Sequence, residues 1–385
     1  AHWVYDALVD AGPGAPLPRV NVSLKLSALD SQYDAIDPQG TTSRVLARLR
    51  PLWRLARAQH AQVHIDMESY ATKDLALVIF KQIASEEEFR DWPHCGIVVQ
   101  CYLRDAPKDL MDLLEWARTR GTPIWVRLVK GAYWDYETIH AQAAGWPVPV
   151  WEEKWQTDAC FEAATTFLLE HAQLLRPALG SHNVRSLAHG MAVAEHLGIR
   201  REAIEMQMLY GMGDAEKEAV TAAGWRMRVY MPYGQLVPGM AYLVRRLLEN
   251  SSNESFLRAG FIQHVSSDAL LAPPGCGAMP AANVAVGGSA FANEPLSDFS
   301  LLSVRSSMQK AVERQRTHLS HEQPTVVPVV INGKREELAD RFLRHDPADH
   351  SRQVAAVCAA NPELACRAVA AVVKALPAWS ASGYA

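Results

Sequence analysis

The sequence predicts an α/β protein built on a (β/α)8 TIM-like barrel, followed by a linker and a shorter segment of different texture. Three observations carry this reading. Short apolar strands alternate with longer helical stretches from about residue 18 to 265, the pattern of parallel strands joined by crossover helices. Polar residues recur on one face late in several strands, which suits a barrel with a site at its C-terminal mouth, whereas strands of a doubly wound sheet read as continuous apolar runs. No GxGxxG follows the first strand, which weakens an open dinucleotide-binding sheet.

The elements follow in order. Strands are expected at "VNVSLKLS" (20–27), "AQVHIDMES" (61–69), "GIVVQCYL" (96–103), "PIWVRLVKG" (123–131), "ALGSHN" (178–183), "EMQMLYG" (205–211) and "MRVYMPYG" (227–234). Helices are expected between them, as at "SRVLARLRPLWRLARAQH" and "APKDLMDLLEWARTRG". Seven strands are one short of a closed barrel. The eighth either precedes Ala1, where the chain opens without methionine, or escapes the pattern. In "NVSLKLS", Asn21, Ser23, Lys25 and Ser27 share a face; in "HIDME", His64, Asp66 and Glu68 do the same. After residue 265 the Pro, Gly and Ala-rich stretch "LLAPPGCGAMPAANVAVGGSAFANEP" reads as a linker. A hairpin is expected around Asn332-Gly333, and "PELACRAVAAVVKALPAWSASG" as an amphipathic helix with Trp379 after it. The expected boundaries are 1–265 for the barrel, 266–325 for the linker and 326–385 for the terminal segment.

Composition bounds the function. The 385 residues are 49% hydrophobic with a formal net charge of −4, which gives a soluble chain no electrostatic footprint for nucleic acid. Six cysteines form no CxxC pair, so reduced thiols and a cytoplasmic location are expected. No apolar run reaches the roughly 18 residues that span a bilayer, so membrane contact is expected to be peripheral.

The residues that could carry chemistry are mostly cations. In "WVRLVKGAYW" the strand bears Arg127 and Lys130, and strand alternation sends them to opposite faces. A helical segment, residues 239–256, carries adjacent Arg245 and Arg246, with Glu249 four residues after the first. The pair is either a solvated basic face or, framed by Leu243, Val244, Leu247 and Leu248, a guanidinium grip for a carboxylate. Gln100 and Tyr102 share a strand face; Tyr230 stands near a strand end; Ser181, His182 and Asn183 cluster at another. No metal site is expected, since the histidines are scattered without ligand spacing. A serine hydrolase lacks its GxSxG. On residues alone this is a barrel enzyme, cationic at its mouth and suited to an anionic ligand. A lysine Schiff-base aldolase using Lys25 or Lys130 and a non-catalytic scaffold stay open.

The phrases "SLKLSAL", "HIDMES", "VVQCYLRD", "VRLVKGAYWDYE", "KWQTD", "SHN", "LYGMGD" and "YLVRRLLENSSNESF", in this order, closely resemble the proline dehydrogenase domain of the proline utilization A family over residues 18–260. The resemblance implies a distorted barrel whose first strand lies upstream, non-covalent FAD, and oxidation of L-proline to Δ1-pyrroline-5-carboxylate. By matching motif, Arg245, Arg246 and Lys25 would grip the proline carboxylate. Tyr133, Tyr230 and Leu209 would pack on its ring, Glu249 would orient the arginines, and Asp66 would hold Tyr230 or the cations. For FAD, Arg127 and Gln100 would meet the ring system, and Val129, Lys130, Gly131 and Ala132 would line the chain to the pyrophosphate. Lys154, Thr157, His182, Asn183 and Gln207 would face ribose, phosphate and adenine, with Ser255 and Phe256 nearby. Ser181 stands where many members carry threonine, and "VYMPYGQLVPGM" departs from the commoner form of that loop. The tail resembles the N-terminal start of an aldehyde dehydrogenase, without that family's catalytic cysteine or NAD-binding loops. The resemblance implies a quinone electron acceptor, peripheral contact with the inner membrane, a homo-oligomeric parent, and NAD-linked oxidation of glutamate semialdehyde in the parent alone.

Overall fold

The computed structural model describes residues 9–10, 17–235, 237, 240, 244, 270–275, 293–321 and 324–382. The chain divides into two compact units, Ala1–Leu301 and Leu302–Ala385.

In the first unit seven parallel strands pair in sequence order: β1 (Asn21–Leu24), β2 (Gln62–Ile65), β3 (Cys95–Gln100), β4 (Ile124–Val129), β5 (Leu175–Gly180), β6 (Glu205–Leu209) and β7 (Arg226–Tyr230). Between them run α1 (Pro38–Ala58), α2 (Tyr70–Ser85), α3 (Ala106–Arg120), α4 (Trp134–Ala144), α5 (Lys154–Glu170), α6 (Val184–His196) and α7 (Asp214–Ala222). Two helices, not one, separate β4 from β5. The sheet curls into a half-barrel. On a flat sheet β2 and β7, five strand spacings apart, would be separated by about 24 Å, yet the Tyr230 hydroxyl donates to Asp66 Oδ2 at 3.0 Å. The parallel sheet has seven strands among the described residues; ahead of β1 these residues hold an antiparallel pair, Val9–Asp10 with Leu17–Pro18, and no eighth parallel strand.

Alternation sorts the two faces. The convex side carries Val63, Ile65, Ile97, Val99, Val126, Leu128, Leu179 and Met206, all packed into the main core with the helices. Helix α1 shows how the helices meet that layer. Asp37 caps it by accepting from the Gly40 N–H, Pro38 opens it, and Val45, Leu46, Leu49, Trp53 and Ala56 bury one stripe. The concave side is polar, from Asn21, Ser23 and Lys25 on β1 and its extension to Arg226, Arg228 and Tyr230 on β7. Near the N-terminal ends of the strands Leu17 packs against Trp125 and Ala178, and Arg228 donates to the carbonyls of Pro18 and Arg19.

The second unit holds α8 (Leu302–His321), β8 (Thr325–Val327), β9 (Val329–Ile331), β10 (Lys334–Glu336), β11 (Arg341–His345), β12 (Gln353–Cys358) and α9 (Pro362–Ala381). Strand β12 lies between parallel β8 and antiparallel β11. The hairpin β9–β10 turns at Asn332-Gly333, with φ of 51° and 75°, as its sequence predicts. Two expectations need correction. Trp379 lies within α9, which runs on through Pro377. By length and composition alone that helix is also long and apolar enough to cross a bilayer. Charges at Arg367 and Lys374 interrupt its apolar runs without lowering the average enough.

Candidate active site

The concave face gathers its functional groups at the C-terminal ends of the strands. Arg127, at β4, is 6% exposed. Its Nη1 donates to Asp66 Oδ1 at 2.7 Å and its Nε to Gln207 Oε1 at 2.6 Å. Asp66 gives its other oxygen to Tyr230, whose ring lies 5.4 Å from the guanidinium carbon. One carboxylate therefore holds a cation and a phenol from opposite sides of the half-barrel. Gln207 passes the chain inward: its amide donates to Glu205 Oε1, and Glu205 Oε2 forms an ion pair with Arg228 Nη2 at 2.8 Å. A buried charge is tolerable only when paired and hydrogen-bonded, and this run of partners supplies both.

On the other flank Lys25 Nζ donates to the Tyr133 hydroxyl at 3.0 Å and sits 5.7 Å from the ring centroid. Gln100, at the end of β3, is buried, and its Oε1 has no partner among the described residues. Val129 and Leu209 share the concave face by register with Gly180 and Tyr230. Lys130 takes the opposite face, as its spacing from Arg127 predicts. It donates to Asp158 on α5 and lies over the Phe161 ring. Lys154 reaches the second Asp158 oxygen at 2.8 Å. Burial works to raise the Asp158 carboxyl, but the two lysines outweigh it and hold it below the usual range. Thr157 is buried on the same helical turn.

Two local devices shape the rim. Gly131 has φ of 136°, and a Cβ there would lie 2.4 Å from the Tyr102 ring; only glycine tolerates both the dihedral and the approach. Gly131 and Ala132 are left exposed. In the β5–α6 loop His182 Nε2 accepts from the Leu209 N–H at 2.9 Å, which fixes the neutral tautomer with its proton on Nδ1. Asn183 caps α6 through Ser186 N–H, and Ser181 Oγ accepts from the Asn183 N–H.

The structure thus brings together Lys25 with Tyr133, Asp66 with Arg127, Gln207 and Tyr230, Lys130 with Lys154, and His182 with Leu209. Gln207 bonds to Arg127 in the barrel interior, a different setting from the ribose and adenine side expected of it. Arg245, Arg246, Glu249, Ser255 and Phe256 lie outside the described residues. Sequence reading passed over Glu205 and Asp158. Glu205 shares its face with Gln207 and Leu209 at period two, and Asp158 follows Lys154 by one helical turn; both spacings were available. Glu137, on the first turn of α4, gave no such signal.

The sequence profile described as "Proline dehydrogenase" matches residues 5–259. The bifunctional protein PutA of Salmonella typhimurium is 33% identical over 273 residues, covering 68% of this chain and 20% of that protein. Proline dehydrogenase 1 of Bacillus subtilis is 30% identical over 218 residues, covering 57% of this chain and 64% of that protein. The crystal structure of proline utilization A from Bdellovibrio bacteriovorus inactivated by N-propargylglycine superposes with a TM-score of 0.89 at 45% identity. It covers 94% of this chain, which spans 38% of it. The chain therefore spans about a fifth of the PutA relative's length, and over more than half of its own length it carries the fold and sequence of one family. It belongs to the proline dehydrogenase family.

Proposed function

We propose that this chain oxidises L-proline to Δ1-pyrroline-5-carboxylate with FAD, the first step of proline catabolism, and passes the electrons to a quinone. The observation that carries the reading is the half-buried Asp66–Arg127–Tyr230 cluster on the concave face, set opposite Lys25 and Tyr133 in a member of this family.

The residues fit a flavin. The unpartnered Gln100 amide oxygen suits an N–H on a flavin ring edge, and Arg127 beside it suits the ring's electron-rich side. Val129, Lys130, Gly131 and Ala132 would follow the cofactor's chain, where exposed glycine backbone allows close approach. Lys154, Thr157, His182, Asn183, Ser255 and Phe256 would hold its ribose, phosphate and adenine. When bound, FAD supplies the two-electron oxidant that takes hydride from the ring carbon beside the proline nitrogen.

The protein's own work is positioning and charge. Arg245, Arg246 and Lys25 grip the substrate carboxylate, and Glu249 orients the arginines; the clamp converts binding into orientation. Tyr133, Tyr230 and Leu209 pack around the pyrrolidine ring. The cations of this pocket disfavour the protonated amine by repulsion, so the nitrogen lone pair is free to form the C=N bond. We read residues 1–265 as this domain, 266–325 as a junction and 326–385 as the start of an aldehyde dehydrogenase domain, whose NAD-linked activity belongs to a longer, homo-oligomeric parent. The parent is cytoplasmic and touches the inner membrane peripherally.

The visible spectrum tests the reading. Purified protein loaded with FAD is yellow and bleaches on anaerobic addition of L-proline. Arg246→Met raises KM for proline about 10- to 100-fold, the loss of a charged contact, with little loss of FAD. A colourless protein trapped by borohydride with a carbonyl substrate would instead support a Schiff-base lysine.

A further inference from the structure

We propose that Glu137 is a positioning residue that locks the Tyr133–Lys25 flank of the pocket to the Asp66 flank. The inference rests on the functional reading above and names a residue outside its substrate and cofactor contacts.

Helix α2 begins four residues after Asp66, at Tyr70, and its N-cap Ser69 makes no side-chain capping bond. The first N–H groups of a helix need acceptors and favour negative charge. Here the acceptor comes from another element: Glu137 Oε1 accepts from the Tyr70 N–H at 2.7 Å. Glu137 in turn stands four residues after Tyr133, and its own N–H donates to the Tyr133 carbonyl at 2.9 Å. The carboxylate therefore ties the loop after β2 to the loop after β4, passing over the end of β3 between them. Beneath the tie lies Tyr102, 2% exposed, with its ring against Gly131 and its N–H on the Lys130 carbonyl at 2.6 Å. Tyr70, Tyr102 and Tyr133 pack in one cluster with Leu103 and Val150.

Glu137 is only 4% exposed and has no ion pair among the described residues. Burial pushes its carboxyl above the usual range, against the pull of the Tyr70 N–H and of His140. A buried unpaired carboxylate is rarely kept for stability alone. What this one secures is the distance between two loops that together carry Asp66, Lys130, Gly131 and Tyr133.

The test uses the FAD-loaded full chain. Three variants are compared with Asp37→Ala, which removes a helix cap from α1 (Asp37 accepts from Gly40 N–H and pairs with Arg44) and touches none of the residues placed in the pocket. Glu137→Ala is expected to raise KM for proline and Kd for tetrahydrofuran-2-carboxylate, a non-oxidisable isostere, about tenfold each, the effect of one charge-assisted bond. FAD content stays unchanged and kcat moves less than about threefold. Glu137→Gln keeps the acceptor and restores KM to within about twofold of wild type. Glu137→Asp keeps the charge but draws it back by one carbon–carbon bond, so KM rises again; it decides the matter if the alanine variant does not fold. Asp37→Ala lowers the melting temperature without moving KM. Glu137→Ala and Glu137→Asp that lose stability with KM unmoved overturn the inference and leave a plain helix cap. A wild type that oxidises no proline overturns the functional reading and this inference with it; one that does, with KM unmoved in the variants, overturns this inference alone.

Discussion

Asp66 divides its two oxygens between a buried guanidinium and a phenol, and the two bonds differ in worth. Removing the carboxylate's charge leaves Arg127 uncompensated at 6% exposure, and breaking a buried pair in this way costs about 3 kcal/mol or more. Removing the phenol leaves one charge-assisted bond unmade, at about 1.5 kcal/mol. Asp66→Asn is therefore expected to destabilise the protein about twofold more in free energy than Tyr230→Phe, measured by chemical denaturation. Equal effects would mean that Arg127 is solvated and the pair contributes little. The shared strand face of this site was readable from alternation. The role of Asp66 came from the family resemblance, which implied a hold on Tyr230 or the cations; among the described residues it bonds to Tyr230 and to Arg127. The partner chosen by each group was not readable, because Arg127 and Gln207 lie 80 positions apart and only the curl of the sheet brings them together.

At the level of elements, period-two alternation sorted the strands well. Lys25, Asp66, Gln100, Arg127, Gln207, Leu209 and Tyr230 all fall on one face, and Lys130 falls on the other. Strand ends were less legible: β2 stops at Ile65 and β7 at Tyr230, short of Ser69 and Gly234. Loop packing decides where pairing stops, and it involves residues distant in sequence. Helix α9 swallowed Trp379 because a proline four residues from a helix end removes few hydrogen bonds. His64 on β2 and His94, just ahead of β3, carry a testable consequence. Burial, with Arg176 and His60 nearby, pushes His94 down to about 4. Burial, then Arg127 and Arg228, pushes His64 down as well. An unfolded histidine titrates near 6.5, so below that pH the unfolded chain binds protons that the native one refuses. Stability is then full above about pH 6.5 and falls as pH drops toward 4. Denaturation midpoints at pH 7.5 and 5 should differ, and His94→Gln should shrink the difference while His64 keeps part of it. A variant slope identical to wild type would show that His94 is solvated in the native state.

Across the whole molecule, burial is unevenly shared between the two units. The first has a continuous core of aromatic and branched side chains around the half-barrel. In the second, only Ile331, Ala356, Cys358 and Leu364 are buried hydrophobics among the described residues. Along α9, Val369, Val372, Val373, Leu376 and Trp379 are each more than half exposed. Each fully buried large aliphatic contributes about 1.5–3 kcal/mol, while ordering each residue costs about 1–2 kcal/mol. So short a list of buried groups leaves the second unit marginal in this chain, and local opening there should need far less free energy than in the first. Hydrogen exchange on the full chain is expected to label β11, β12 and α9 orders of magnitude faster than β3 and β4. Protection of α9 equal to that of β4 would mean that its valine face is covered in solution. A dependence of that protection on protein concentration would then identify the cover as a second copy of the chain.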